Sequence, residues 1–259
     1  LEKISAYLLV VTHFFRGYPL VRQARAMVAA GELGALRVVQ VEYPQDWLTE
    51  KLEGTGQKQA SWRTDPARSG VGGATGDIGT HAFNLARFVT GLELDSLAAD
   101  LTAFVDGRPL DDNAHVMLRF KGGAKGMLWA SQVAPGNENA LKLRVYGTKG
   151  GLEWEQEHPN HLWFTPFGAP KRLITRNGAG AGEAAGRLSR VPPGHPEGYL
   201  EGFANIYAEA ARAIRAARRT GGTVDDAVLY PTVEDGVEGV AFVEACVRSS
   251  QQNGAWTTL

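Results

Sequence analysis

The chain has 259 residues, of which 44% are hydrophobic, and its 27 basic and 28 acidic side chains give a formal net charge of −1. This length can bury a substantial core, whereas the balanced charge excludes a strong field for nucleic acid or an anionic membrane, so we expect a small-molecule partner. The single cysteine, Cys246, excludes a disulfide framework and indicates a buried thiol in a cytoplasmic protein. The longest apolar run, within residues 6–15, is too short for a membrane span and lacks the features of a secretion signal.

The first part of the chain alternates between strand and helix patterns. Residues 7–15, "YLLVVTHFF", are β-branched and aromatic and predict a buried strand. A helix is predicted from Pro19 to one of the following glycines, and residues 35–43 predict a second strand. Residues 50–76 are polar and glycine-rich without periodicity, which indicates a long loop over a site.

The middle of the chain changes from helical to alternating periodicity. A helix is predicted from Asp77 to Gly91, because apolar residues recur at helical spacing and glycine closes the run. Six short strands with period-two patterns then follow between residues 94 and 166, which predicts an antiparallel sheet. The adjacent pair Asp111 and Asp112 lies in a turn between strands, and we expect these side chains to cap it.

The last part of the chain is predicted to be mostly helical. Residues 175–196 have loop composition, and helices are predicted over 196–219 and 231–249. The final residues, 255–259, form a candidate edge strand. The order of these elements favours an α+β fold, which we expect to form one domain over residues 1–259.

The stretch "SGVGGATGDIGTH", residues 69–81, has glycines at a spacing similar to a dinucleotide-binding loop. Such a loop needs a buried apolar strand directly before its first glycine. Here the preceding "SWRTDPARS" is polar and contains Pro66, so it is unsuited to a central strand. We therefore predict that these glycines bend the approach to a helix, and that this chain contributes no cofactor-binding residue.

Asp77 and His81 are four residues apart and would share one helical face. One interpretation makes Asp77 a helix cap and His81 a packing residue. The other makes His81 a neutral imidazole, held by the helix N-terminus and oriented by the carboxylate, that accepts a hydroxyl proton. A metal site is not expected, because no third ligand lies at suitable spacing.

Two long segments carry a family resemblance. Residues 13–47, "HFFRGYPLVRQARAMVAAGELGALRVVQVEYPQDW", and residues 61–91, which contain G-G-x-x-x-D-x-G-x-H, resemble the C-terminal domain of Gfo/Idh/MocA oxidoreductases. This is the family of glucose-fructose oxidoreductase and inositol dehydrogenase. "DDNAHVMLRFKGGAKGMLWASQ", "LRVYGTKGGLEW" and "GHPEGYLEGFANIY" are similar to later parts of that domain. The resemblance implies a large open, mainly antiparallel sheet with helices packed on one face.

The resemblance also implies a chemistry. Family members bind NAD or NADP in an N-terminal Rossmann domain, and their Asp and His act in catalysis, which carries over to Asp77 and His81. Lys3, in "LEKIS", is the nearest counterpart of the family's catalytic lysine. No dinucleotide fingerprint precedes these residues, so we expect the chain by itself to lack the Rossmann domain and to bind nicotinamide cofactor poorly.

Four further residues match positions that face the substrate in relatives, and the resemblance implies that a sugar, cyclitol or polyol would contact Trp62, Arg63, His195 and Tyr199. Arg16, at the end of the predicted first strand, is a further candidate for the substrate cleft.

Three hypotheses follow from the resemblance. The chain is the substrate-binding half of an NAD(P)-dependent sugar or polyol dehydrogenase, a non-catalytic binding or scaffold protein of that ancestry, or a half-enzyme whose Rossmann partner is another polypeptide. Apolar residues on both faces of several strands also predict a homo-oligomer formed through the open sheet face.

Overall fold

The computed structural model describes residues 8–219 and 224–259. One eight-stranded sheet organises the chain. Its strands are β1 (Leu36–Pro44), β2 (Leu94–Thr102), β3 (Asn113–Phe120), β4 (Lys125–Ser131), β5 (Lys142–Gly147), β6 (Gly150–Glu155), β7 (His161–Pro166) and β8 (Arg172–Thr175). The α-helices are α1 (Pro19–Ala29), α2 (Lys58–Arg63), α3 (Pro66–Ser69), α4 (Thr80–Thr90), α5 (Glu183–Gly186), α6 (Tyr199–Ala217) and α7 (Val233–Gln251).

The strands lie in the order β2-β3-β4-β1-β5-β6-β7-β8, and every neighbouring pair is antiparallel except β1 with β4. The predicted α+β fold with an open, mainly antiparallel sheet is therefore confirmed. The six successive strands are interrupted, however, because β1 lies between β4 and β5, where Val41 is opposite both Leu128 and Leu143. Alternating hydrophobicity shows which face of a strand is buried and does not show its neighbours.

The two faces of the sheet differ in what covers them. On one face, helices α1 and α4 and the aliphatic side chains of the central strands form a continuous core. The opposite face leaves large apolar side chains exposed, among them Val38, Met117, Met127, Tyr146 and Trp163. Helices on one face and an open second face agree with the prediction. Within the described ranges, no helix is long and apolar enough to cross a membrane.

The predicted first strand is wrong over its described residues. Residues 8–13 are irregular, and a 3₁₀ turn follows at Phe14–Gly17. The turn packs against α6 instead of joining the sheet, and a Cβ on Gly17 would lie 2.1 Å from the carbonyl oxygen of Gly202. Phe14 and Phe15 are nevertheless buried. The apolar pattern therefore predicted burial correctly, although the backbone is not a strand.

Several other predictions need adjustment. The loop predicted over 50–76 contains the short helices α2 and α3, and β8 was not predicted. In α6, Ile206 and Ala210 are buried, whereas Tyr199 and Ile214 are exposed and Glu209 is fully buried. This carboxylate is tolerated because it pairs with Arg187 and accepts from the amide of Leu229.

The two predicted C-terminal helices and the buried cysteine are confirmed, whereas the candidate edge strand is reduced to a single bridge. Cys246 is a buried free thiol on α7, and burial raises its pKa well above the ordinary value. The final segment pairs with the edge strand β2 through one antiparallel bridge between Thr257 and Leu97.

Candidate active site

A π-helical turn at Thr75–Gly79 leads directly into α4 and carries Asp77. The amide of Thr80 donates to the carbonyl of Thr75, five residues earlier, which gives this turn its wider winding. Asp77 and His81 both line the two cavities that meet at this point of the fold. The predicted helix therefore begins in a π turn, and the predicted pair shares one side of it.

The glycine-rich segment before this turn is held by Asp111, on the neighbouring β2–β3 connection. One carboxylate oxygen of Asp111 accepts from the amide of Gly73 at 2.7 Å, and the other accepts from the amide and hydroxyl of Thr75 at 2.8 and 2.7 Å. The amides of Gly73 and Thr75 are thus already bonded to a carboxylate within the fold. The prediction for the adjacent Asp112 holds as stated, because it accepts from the amides of Phe104 and Val105 in the turn.

Asp77 is oriented by two donors. Its Oδ2 accepts from Nε of Arg63 at 2.9 Å and from Nε2 of Gln132 at 2.7 Å. The guanidinium group of Arg63 stacks over the ring of Trp62, with 4.2 Å between the guanidinium carbon and the ring centroid. A charged, hydrogen-bonded carboxylate therefore lies one helical turn before His81.

His81 contacts a second histidine that the sequence did not single out. Nδ1 of His81 lies 3.1 Å from Nδ1 of His13, and the two rings meet edge to face at a centroid distance of 4.9 Å. Burial lowers the pKa of His81, and the nearby Asp77 partly opposes this effect. Burial and the neighbouring His81 lower the pKa of His13 to about 3. Both imidazoles are therefore neutral near pH 7.

The two cavities on either side of His81 differ in chemistry. The first, of about 650 Å³, is mainly apolar and is lined by the glycine-rich segment, α7 and His13. The second, of about 410 Å³, is lined largely by polar and aromatic side chains: Tyr43, Gln45, Trp47, Gln57, Gln59, Arg63, Asp77, Asn139 and Tyr199, with Phe14, Ile78 and His81. Some of these groups orient each other, since Nε2 of Gln45 donates to Asn139 at 2.7 Å. The second cavity offers several hydrogen-bonding groups beside a neutral imidazole.

The predicted substrate residues separate into two groups. Trp62 lines the first cavity, Arg63 lines both, and Tyr199 lines the second. Arg16 instead forms a buried ion pair with Asp235 and is not among the residues lining these two cavities. His195 lies on an exposed loop, also away from them.

One predicted site residue lies outside the described part of the chain, and three residues near Asp77 and His81 were not predicted. Lys3 lies outside the described residues. The sequence missed His13, Gln132 and Asn139, because each comes close to the Asp77 region only through the tertiary fold. His13 did carry one signal, since it interrupts an otherwise apolar run.

The chain thus combines an open, mainly antiparallel sheet, helices on one face of it, and an aspartate and a histidine that lie between two cavities. Residues 21–153 match the family model of the GFO/IDH/MocA C-terminal domain. The chain belongs to the Gfo/Idh/MocA family of oxidoreductases.

Three relatives illustrate the similarity. An oxidoreductase from Sinorhizobium meliloti has 61% sequence identity and a TM-score of 0.85, with 97% of this chain and 64% of that chain covered. An inositol dehydrogenase homologue from Azotobacter vinelandii, crystallised with NADH and myo-inositol, has 35% identity and a TM-score of 0.91, with 100% and 66% covered. The uncharacterised oxidoreductase YfiI of Bacillus subtilis is 33% identical over 249 residues, which are 95% of this chain and 63% of YfiI. The chain thus spans somewhat less than two thirds of the length of each relative.

Proposed function

We propose that this chain supplies the substrate site and the proton acceptor of an NAD(P)-dependent sugar or polyol dehydrogenase. The observation that carries the proposal is the neutral imidazole of His81, which lies at the junction of a polar and an apolar cavity beside the ion-paired Asp77. Oxidation of a secondary alcohol requires a base at the hydroxyl oxygen while hydride leaves the carbon. A buried histidine with a lowered pKa is in the basic form at neutral pH.

The polar cavity suits a ligand with several hydroxyl groups. In the proposed complex, the hydroxyl that reacts donates to Nε2 of His81, the ring nitrogen that His13 does not engage. Arg63 and Asn139 line the same cavity and would hydrogen-bond neighbouring hydroxyls of the ligand. The exposed ring of Tyr199 would pack against the ligand at the edge of this cavity. Myo-inositol, present in the complex of the Azotobacter vinelandii relative, is a ligand of this class.

The nicotinamide nucleotide would supply the hydride acceptor when bound. The glycine-rich segment does not fit its pyrophosphate, because the amides of Gly73 and Thr75 already donate to Asp111 and are not free for another acceptor. We therefore propose that the nucleotide is held outside the described residues, by a Rossmann domain in cis or in trans. The described residues bind and orient the alcohol, hold His81 neutral and receive the proton.

The experiment measures polyol binding and turnover separately. Binding of myo-inositol and a panel of sugars to the chain is followed by calorimetry, and turnover by NAD(P)H absorbance, with and without a Rossmann domain from a family member. We expect His81→Ala to lower kcat by at least about 100-fold, the range that a general base contributes. His158→Ala, a matched change at an exposed histidine, should leave kcat within about twofold, since it removes no general base.

Three outcomes decide between the hypotheses. Unchanged turnover in His81→Ala would contradict its role as the base. Micromolar NADH binding by the chain alone would contradict the placement of the nucleotide. Polyol binding that no Rossmann domain converts into turnover would favour the alternative of a non-catalytic binding protein.

We further propose that the open sheet face joins copies of this chain into a homo-oligomer. Met117 and Met127 lie opposite each other on β3 and β4 with about half of each side chain exposed, and Trp163 is exposed farther along the same sheet. Light scattering should give a mass above that of one chain, and Met127→Glu should lower it. A monomeric wild-type chain at micromolar concentration would contradict the proposal.

A further inference from the structure

The pair formed by His13 and His81 has a hydrogen count that restricts the state of both rings. A neutral imidazole carries one N–H, and a bond between two Nδ1 atoms contains one hydrogen. If His81 donates from Nδ1, its Nε2 is bare and can accept a proton, while His13 carries its hydrogen on Nε2. If His13 donates instead, Nε2 of His81 is already protonated and cannot act as a base.

The surrounding structure keeps the His13 ring within hydrogen-bonding distance of His81. His13 is 5% exposed, and its carbonyl accepts from the amide of Arg16 at the start of the 3₁₀ turn. Arg16 is itself fixed by Asp235 and by Asn84, which accepts from its Nε at 2.8 Å. His13 thus lies directly before the 3₁₀ turn, whereas His81 belongs to α4, and the bond from Arg16 to Asn84 of α4 joins the two segments.

Burial favours two neutral rings, which share one hydrogen between their Nδ1 atoms. Burial lowers the pKa of both histidines, so no cation forms on either ring near pH 7. Within the described ranges, the only protein hydrogen bond of the His81 ring joins its Nδ1 to Nδ1 of His13, which leaves Nε2 of His81 for a ligand. Asp235 raises the pKa of the other ring, that of His13, but burial, His81 and Arg16 together lower it further.

We propose that His13 is a positioning residue whose Nδ1 accepts the hydrogen of His81 Nδ1, so that His81 presents a bare Nε2 to the substrate. This inference rests on the proposed function. In the oxidation step, the substrate O–H bond breaks and an Nε2–H bond forms on His81, while the C–H electron pair passes as hydride to the nicotinamide nucleotide. The positive charge that develops on His81 is then stabilised through the existing hydrogen bond to neutral His13.

The decisive measurement reads the tautomer and needs no turnover. Long-range ¹H–¹⁵N NMR of the histidine-labelled chain should show His81 protonated at Nδ1 and bare at Nε2. His13→Leu should move hydrogen on His81 toward Nε2, and His13→Asn, whose amide oxygen can accept near the former Nδ1 position, should restore the wild-type pattern. His158→Leu, at an exposed histidine, is the matched control and should leave the His81 signals unchanged.

Activity provides the second readout. With a Rossmann domain supplied, His13→Leu should lower kcat about 10- to 100-fold, part of the roughly 10²- to 10⁴-fold that a general base provides, with a small change in KM. His13→Asn should recover most of this loss.

The outcomes separate the two proposals. A wild-type His81 with hydrogen on Nε2, or a His81 tautomer that His13→Leu does not change, would overturn the role of His13, and the wild-type spectrum decides even if a variant fails to fold. Absence of polyol turnover in the wild-type protein with a Rossmann domain supplied would overturn the proposed function instead, while the NMR result would still stand.

Discussion

Replacing Asp111 by alanine should destabilise the chain more than most single substitutions, because one carboxylate satisfies three buried donors. The amides of Gly73 and Thr75 and the hydroxyl of Thr75 would all lose their acceptor. A buried donor left unpaired costs about 1–3 kcal/mol, so the loss of unfolding free energy should be roughly 3–6 kcal/mol after partial relaxation. For a chain of this size that corresponds to a fall in Tm of about 6–20 °C.

Chemical denaturation followed by circular dichroism measures this difference. Asp111→Asn should show an intermediate loss, since the amide keeps one oxygen acceptor but places an NH₂ group opposite a donor. Asp106→Ala, an exposed residue of the same connection, should change the unfolding free energy by less than about 0.5 kcal/mol. If Asp111→Ala lost less than about 1 kcal/mol, the three hydrogen bonds would not hold the glycine-rich segment as we argue.

Two further predictions test the packing and the charge state of the site. Gly73→Ala should lower the unfolding free energy by about 1–3 kcal/mol, because the new methyl group would lie 2.0 Å from the carbonyl oxygen of Asp111. Gly76→Ala is the control and should be nearly neutral, because its methyl group would meet nothing within 4 Å. Equal Tm values for the two variants would refute this prediction. The fold lowers the pKa of His13 from 6.5 to about 3. Between these values the unfolded chain binds a proton at His13 and the folded chain does not, so the unfolding free energy decreases as the pH is lowered, by up to about 1.4 kcal/mol per pH unit. His13→Asn should therefore make unfolding free energy less steep between pH 6.5 and 5 in guanidinium titrations, and an unchanged slope would show that His13 is not held neutral.

Much of the site was predictable because its chemistry is local. Asp77 and His81 are one helical turn apart in the sequence, so their shared face followed from helix geometry alone. Trp62 and Arg63 were also predicted, from their resemblance to a substrate-facing position, and they do border the first cavity. Arg16 was predicted from its place at the end of the expected first strand, but its guanidinium is bound to Asp235, which lies more than two hundred positions later and carries no sequence signal for this pairing.

The sequence by itself determined the fold class, the alternating strands, the helix that carries His81 and the family resemblance, because periodicity, capping and short motifs act over neighbouring residues. Only the tertiary structure decided that β1 lies between β4 and β5, that Asp111 binds the glycine-rich segment and that His13 meets His81. Each of these contacts joins residues at least thirty-six positions apart. Such contacts form because the chain must bury its apolar faces and satisfy its buried polar groups at the same time, and no local pattern specifies which distant partner achieves this.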